Sequence, residues 1–410
     1  MRSPAQEDGP AGVLTGLKVV EIAQLVAGGM PGSLLADLGA DVIHIEDPWA
    51  GDPVRRLGPD KDGANLWWKV AGRNKRSVTI DLRREEGQKL ARQLAAWADV
   101  VITNVRVGTL ERWQLDFANL QLVNPTLIML HISALGASGP TRDVAGFGKI
   151  GEARSGVAHL SGLAGNAPVF SGYLLSDAVT GALGALAIQM ALYRRAHDPD
   201  FAGEWIDDAL TEALFRLVDW QVVVHDQLGV VPERIGNDIW IEYPMMTRVV
   251  KTYDQSWLLV TASSIDEFQA LARLVGDSLE TSWDMVVPSR SRLDAAVDAW
   301  AGGQWTSACL AALAEAGVVA CKIFNVVDIF ADAVYAERND IIEVTDRYLG
   351  KVRMQSVVPR FVNYPGNVWR CGPSLGEDNQ IVLQERLGLS EQDISELELS
   401  GIVGERGSVT

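Results

Sequence analysis

The chain has little of what redox or metal chemistry uses. Three cysteines, Cys309, Cys321 and Cys371, stand among 410 residues. Their number is odd and no two form a CxxC pair, so neither a disulfide framework nor a zinc knuckle is supported. The five histidines show no HxH or HxxxH spacing, and no metal site is expected. No apolar run is seen to approach the ~20 residues of a membrane span. The opening MRSPAQEDGPAG lacks the apolar stretch of a signal peptide. A cytoplasmic protein without a membrane partner is the expectation. Basic residues are in deficit, 36 against 53 acidic, for a net charge of -17. Such a surface repels phosphate backbones, so no nucleic-acid partner is expected. No GxSxG elbow is present, which leaves a serine hydrolase unsupported.

What is abundant is length, apolar residues and tryptophan. At 410 residues, 48% of them hydrophobic, the chain is too long for one simple core. The 13 Trp suggest thick cores, apolar pockets or an extensive interface. Leu17–Ile22 reads as a buried strand, Ala27–Gly32 as a glycine-rich turn, Ser33–Leu38 as a helix and Ala40–Glu46 as a second strand. Ser77–Leu82, Val100–Thr103 and Leu127–Ile132 read as further strands, with Glu85–Trp97 helical between them. This β-α-β alternation predicts an α/β fold with an open, largely parallel sheet. A strong helix follows from Ser176, and a second is expected over Ile206–Leu228. Arg248–Ala262 reads as a hairpin turning at Asp254–Ser256, followed by helices at 265–276, 293–301 and 305–317 and a last one at Glu391–Leu399. The expected division is an arm at 1–14, a large domain from 15–224 completed by 331–410, and a small α+β insert at 225–330.

Three features carry chemistry. The first is Ala27-x-Gly29-x-x-Gly32 after strand 1, with Glu46 ending strand 2. It is close to a dinucleotide-binding fingerprint. Ala27 replaces the first glycine and Pro31 falls where the helix begins, so a Rossmann-like turn with another ligand, or none, fits better than NAD. The second is a basic concentration: Arg73, Lys75, Arg76, Arg83, Arg84, Arg106 and Arg112. Asn104–Arg106 directly follows a strand, where ligands of open α/β sheets bind; a solvated charged face is the competing reading. The third is Asp177, at the start of a nearly uncharged helix. It is either a helix N-cap or an ionised carboxylate nucleophile for an activated acyl group.

At these residues the chain resembles the class III CoA-transferase family, of formyl-CoA transferase and carnitine CoA-transferase type, to which the alpha-methylacyl-CoA racemases are related. The opening LTGLKVVEIAQLVAGGMPGSLLADLGADVIHIEDPWAGDPVR is similar to that family's first βαβ unit. RNKRSVTIDLRREEG resembles its "NKRS-strand-DL" segment. VITNVRVGTLERWQLDFANLQLVNPTLIMLHISALGASGP and the tail from VVPRF to SGIV resemble two later stretches. The resemblance covers about 14 to 403.

The resemblance implies a Rossmann-like large domain with a small inserted domain, in an interlocked homodimer. It implies no permanent cofactor, with coenzyme A or acyl-CoA as substrate and a free carboxylic acid as the other partner. Asp177 takes the nucleophile's role, through an aspartyl-CoA thioester. CoA contacts carry over onto Val26, Ala27, Arg83, Asn104, Val105, Arg106 and Arg112, and onto Phe147, Gly148 and Lys149. Arginine clamps suit the phosphates of CoA. In the racemase branch a histidine follows the glycine where Gly146-Phe147 stands here. Phenylalanine cannot move a proton, which favours transferase over racemase. A catalytically silent CoA- or nucleotide-binding protein is the other alternative. Lys149 or Arg154 could meet a second carboxylate of the acid, or Lys149 could bridge to Glu152. Trp67, Trp68, Trp240 and Tyr243 could line an acyl pocket or pack a core or dimer interface.

Overall fold

Four runs rich in Val and Ile and two more polar edge runs pair side by side into one parallel sheet. In a computed structural model, which describes residues 9–238, 246–277 and 283–404, they are β1 (Lys18–Ile22), β2 (Asp41–Glu46), β3 (Lys75–Thr79), β4 (Val100–Thr103), β5 (Ile128–Ser133) and β6 (Glu204–Ala209). Their order is β3-β2-β1-β4-β5-β6, every neighbour parallel. Val19, Val20, Val42, Ile43 and Val100–Ile102 are wholly buried, as strands covered on both faces must be. The chain winds outward from β1 in one direction and from β4 in the other. The C-terminal ends of β1 and β4 therefore form the switch point at which such sheets open a crevice.

The covering helices that matter here are α1 (Leu25–Asp37), α2 (Glu85–Trp97), α3 (Gly148–Arg154), α4 (Leu175–His197) and α5 (Leu210–Phe215). The glycine-rich stretch expected as a turn lies inside α1, with Pro31 in its second turn. Its glycines serve close packing. A Cβ on Gly32 would stand 1.8 Å from Glu21 Oε1, and one on Gly28 would stand 2.7 Å from the Ala23 Cβ. The helix expected from Ile206 is also revised: Glu204–Ala209 joins the sheet as edge strand β6, and helix begins only at Leu210. Parallel pairing with β5 overrides the local pattern. Helix α4 has the length and apolar composition of a membrane span, contrary to the expectation. Its Gly181 meets Met30 and Pro31 of α1, its Gly184 meets Leu130 of β5, and its Ile188 is fully buried.

The chain divides into two units. One runs up to Gly156, takes in Ser171–Val218 and resumes at Glu337; the other comprises Val157–Phe170 and Asp219–Ala336. The smaller unit thus starts six residues before the expected 225 and also recruits 157–170. Within it, β7 (Met246–Lys251), β8 (Trp257–Ala262) and β9 (Val319–Lys322) form an antiparallel sheet of order β9-β8-β7. Gln255 takes φ +64° in the β7–β8 turn, where the sequence places it. Helices α6 (Ile265–Leu274) and α7 (Thr306–Glu315) add Phe268, Leu271, Cys309 and Leu313 to its core.

The tail rebuilds the larger unit. Hairpin β10 (Ile341–Asp346) and β11 (Gly350–Gln355) precedes α8 (Asn379–Leu387) and α9 (Glu391–Leu399). Val382, Leu383 and Ile394 share a core with Leu90 and Leu94 of α2. Asp378 and Asn379 accept the Ser77 and Thr79 amides at 2.9 and 2.8 Å, which satisfies the free edge of β3. Residues 9–14 of the expected arm are docked: Ala11 N–H donates to Asn367 and Leu14 N–H to the Leu38 carbonyl.

Candidate active site

The loops at the switch point are stitched together by one side chain. Asn104, directly after β4, accepts the Gln24 amide at 2.9 Å and donates to the Gln24 carbonyl at 2.7 Å. This two-way bond sets the loop after β1 against the loop after β4, and Val26 and Ala27 follow in the first turn of α1. Val105 lines two hollows. One, of about 210 Å³, is walled by Ala23, Gln24, Asp47, Asp81 and Arg83. The other, of about 130 Å³, is walled by Asn104, Arg106, Ser133, Arg142 and Gly146. Arg83 is largely exposed, 2.7 Å from Asp81 and 3.1 Å from Asp47, with its guanidinium 4.6 Å from the Trp49 ring centre. Arg106, at the N-cap of the short helix after β4, and Arg112, in its last turn, are exposed, and Arg112 donates to the Thr109 hydroxyl. Arg83, Asn104, Val105 and Arg106 thus line these two hollows, Val26 and Ala27 adjoin them through the Gln24–Asn104 bond, and Arg112 lines neither.

Three more of the basic concentration are structural, while Arg84 is exposed, 3.9 Å from Glu86. Arg73 pairs with Asp37, Lys75 with Glu21 and Arg76 with Asp41. Each opposes an acidic side chain of β1, β2 or α1, so none is a free clamp. Glu46 likewise is no ribose acceptor. Its carboxylate is buried and holds Arg55 through two bonds of 2.7 Å, together with the Ser77 hydroxyl. This geometry removes the nucleotide reading of the glycine fingerprint.

Asp177 lies in the first turn of α4, nearly buried. The capping position is Leu174, so Asp177 is the third helical residue and not the N-cap. Topology brings it level with Val26 and Ala27. Both α1 and α4 start at the C-terminal edge of the sheet, and Gly181 packs on Met30 and Pro31. Its carboxylate occupies the space a side chain at Gly148 would fill: a Cβ there would be 2.0 Å from Oδ2. One turn on, Gly151 makes the same room for Ser176, whose hydroxyl donates to the Leu210 carbonyl at 2.9 Å. Glycines at both positions let α3 seat directly on α4 and α5.

Burial raises the Asp177 pKa above the usual carboxylate value, and the Glu152 charge adds to this while Lys149 opposes it. The site therefore does not simply keep the acid ionised, as the sequence suggested. It yields a more basic, poorly solvated carboxylate. Lys149 donates to Glu152 at 2.8 Å and to the Ser171 carbonyl at 2.7 Å. The bridge to Glu152 is thus the role of Lys149 in this geometry. Arg154 is exposed at the end of α3, and Phe147, which precedes it, is 61% exposed.

A third cavity, of about 300 Å³ and mostly apolar, lies against Leu25 and Val26. Trp67 and Trp68 both line it, while Trp240 and Tyr243 lie outside the described residues. Beneath it sit His44, Asp52 and Lys75. Sequence reasoning missed this buried group; acidic and basic residues inside β-strand runs were its only signal. Among the described residues no cluster of potential metal ligands occurs.

A doubly wound parallel sheet with a buried carboxylate on a helix that starts at the C-terminal edge of that sheet defines the class: an α/β fold with its candidate site at that edge. The chain belongs to CoA-transferase family III, whose model matches residues 14–379. It is a CoA-transferase of that family. It is 34% identical to a succinyl-CoA–D-citramalate CoA-transferase of Chloroflexus aurantiacus, over 96% of this chain and 99% of the relative. It is 32% identical to the beta subunit of a succinyl-CoA–L-malate CoA-transferase of the same organism, over 95% and 98%. A crystal structure of a CAIB/BAIF family protein from Brucella suis superposes with TM-score 0.82 at 32% identity, covering 92% of this chain and all of that one.

Proposed function

We propose that the protein moves CoA between an acyl-CoA and a free carboxylate through covalent chemistry on Asp177. One observation carries this reading: a buried carboxylate of raised basicity, seated against Gly148 at the edge where Val26, Ala27 and Asn104 meet. The carboxylate attacks the donor thioester carbonyl, giving a mixed anhydride and CoA thiolate. The thiolate attacks the aspartyl carbonyl, releasing the donor acid and leaving an aspartyl-CoA thioester. The acceptor carboxylate attacks that thioester and expels the thiolate. The thiolate then takes the acceptor acyl group and frees Asp177. Every bond broken is matched by one formed, so no outside reactant is needed.

Val26, Ala27, Arg83, Asn104, Val105, Arg106 and Arg112 form the CoA site in this reading. Phe147, Gly148 and Lys149 complete it beside Asp177. Similarity to transferases named for succinyl-CoA with citramalate and malate supports dicarboxylic substrates. The test is incubation with succinyl-CoA, followed by hydroxylamine or borohydride and mass analysis. A modified Asp177 peptide is expected. An unmodified peptide in an active enzyme would overturn the mechanism, and a screen of donors and acceptors reads the acyl specificity.

The reading includes a homodimer. Leu186, Met190 and Tyr193 form an exposed apolar stripe along α4, half or more of each side chain open. Leu186→Arg is expected to shift the mass in solution from dimer toward monomer. An unchanged mass would separate this stripe from the dimer contact.

A further inference from the structure

The turn that carries Val26 and Ala27 is held in a conformation that its own backbone resists. Leu25 opens α1 at φ +62°, a left-handed region that favours glycine and strains any other residue. Its N–H donates to both oxygens of Asp52 at 3.1 Å. Asp52 also accepts the Val54 amide at 2.8 Å, which fixes its rotamer. Behind Asp52 stands His44, with Nε2 at 3.3 Å, and His44 Nδ1 is 2.8 Å from Glu21. Glu21 in turn holds the Lys75 ammonium at 2.9 and 3.0 Å. Lys75 closes the path by donating to the Gly29 carbonyl at 2.7 Å, one turn further along α1.

The start of α1 is therefore tied at two points, Leu25 and Gly29, to one ionic chain anchored in β1, β2 and β3. All four side chains are at most 2% exposed. Two acids face two bases, so the group can be buried without net charge. Buried ion chains contribute little net stability, because desolvation offsets their attraction, but they penalise any other geometry. What this chain holds in place is the turn. The 300 Å³ cavity beside Leu25 and Val26 gives the turn room to collapse if the tie is cut.

We propose that Glu21, His44, Asp52 and Lys75 are positioning residues for acyl-CoA, holding Leu25–Ala27 in the backbone shape that receives it. The inference rests on reading Val26 and Ala27 as CoA contacts. Asp52→Asn in the whole enzyme is expected to raise KM for succinyl-CoA about tenfold, or about 1.4 kcal/mol, with kcat nearly unchanged. Adding Leu25→Gly, which makes the positive φ free of strain, is expected to recover most of that loss. A residue that merely fills the core would not be rescued this way. Hydrogen exchange of the 22–31 peptide, with and without succinyl-CoA, separates the two readings. Ligand protection that persists in Asp52→Asn, with an unchanged KM, overturns the positioning role and leaves the CoA site standing. No protection in the wild type overturns the CoA site itself. If Asp52→Asn does not fold, the wild type is titrated instead. Affinity for a thioether analogue of succinyl-CoA is expected to fall as pH rises through about 9, where His44 loses its proton. The charges facing His44 are Glu21, Asp52 and Glu46, with Lys75 behind Glu21. An affinity flat across that range overturns the inference.

Discussion

The carboxylate of Asp177 occupies the place where Gly148 has no side chain, with Oδ2 only 2.0 Å from where a Cβ would stand. Two helices distant in sequence thus build one feature: α4 supplies the acid and α3 supplies the vacancy.

Gly148→Ala is expected to push the carboxylate aside by more than 1 Å. Displacement on that scale costs roughly 100-fold in rate. The measurement is kcat with succinyl-CoA beside a melting curve. A large loss of kcat with a retained melting transition fits the geometry; an unaffected kcat contradicts it.

Burial chiefly raises the Asp177 pKa and the charges of α3 adjust it, so in the proposed mechanism they shift the pH at which the carboxylate acts. A nucleophile acts deprotonated, so activity falls as pH drops through its pKa. Glu152 raises that pKa and Lys149 lowers it. Glu152→Gln is expected to move the acid limb of kcat/KM to lower pH, and Lys149→Met to higher pH. Limbs that stay fixed in both variants would mean that another group titrates.

His44 makes stability depend on alkali. Burial lowers its pKa, but Asp52, Glu21 and Glu46 outweigh this and hold it at about 9, above the usual 6.5. A base whose folded pKa is raised stabilises fully below its unfolded pKa and loses that contribution as pH rises through the folded value. The span corresponds to on the order of 3 kcal/mol. The melting temperature is expected to fall between about pH 6.5 and 9, and His44→Asn is expected to melt lower but with a flatter profile. Equal slopes in both proteins would remove His44 from the account.

Arg83 and Arg106 each line a hollow that Val105 also lines. Either one changed to Ala is expected to raise KM for acyl-CoA roughly tenfold, the scale of one charge-assisted phosphate contact. Added salt should weaken binding less in these variants than in the wild type. Arg76→Ala, which removes a partner of Asp41, should instead lower the melting temperature and spare KM.

The strands and their parallel arrangement were legible in sequence because Val- and Ile-rich runs at β1, β2, β4 and β5 have no stable place except a covered sheet. The glycines of α1 were misread as a turn. Glycine disfavours helix locally, and only the pressing of Glu21 and Ala23 explains glycines inside one. Strand β6 was missed because Glu204–Ala209 is acidic and lies at the sheet edge, where pairing and not pattern decides.

By itself the sequence determined the alternating α/β order, the acidic surface with its scattered arginines, and Asp177 at the head of an apolar helix. These follow from local composition and spacing. Tertiary structure decided which charges are available. Arg73, Lys75, Arg76 and Glu46 look like ligand-binding groups in the chain and are consumed by Asp37, Glu21, Asp41 and Arg55 in the fold. It also decided that the Asp177 carboxylate is desolvated and aimed at Gly148. Pairing and desolvation depend on distances between residues far apart in sequence, and no linear pattern encodes those distances.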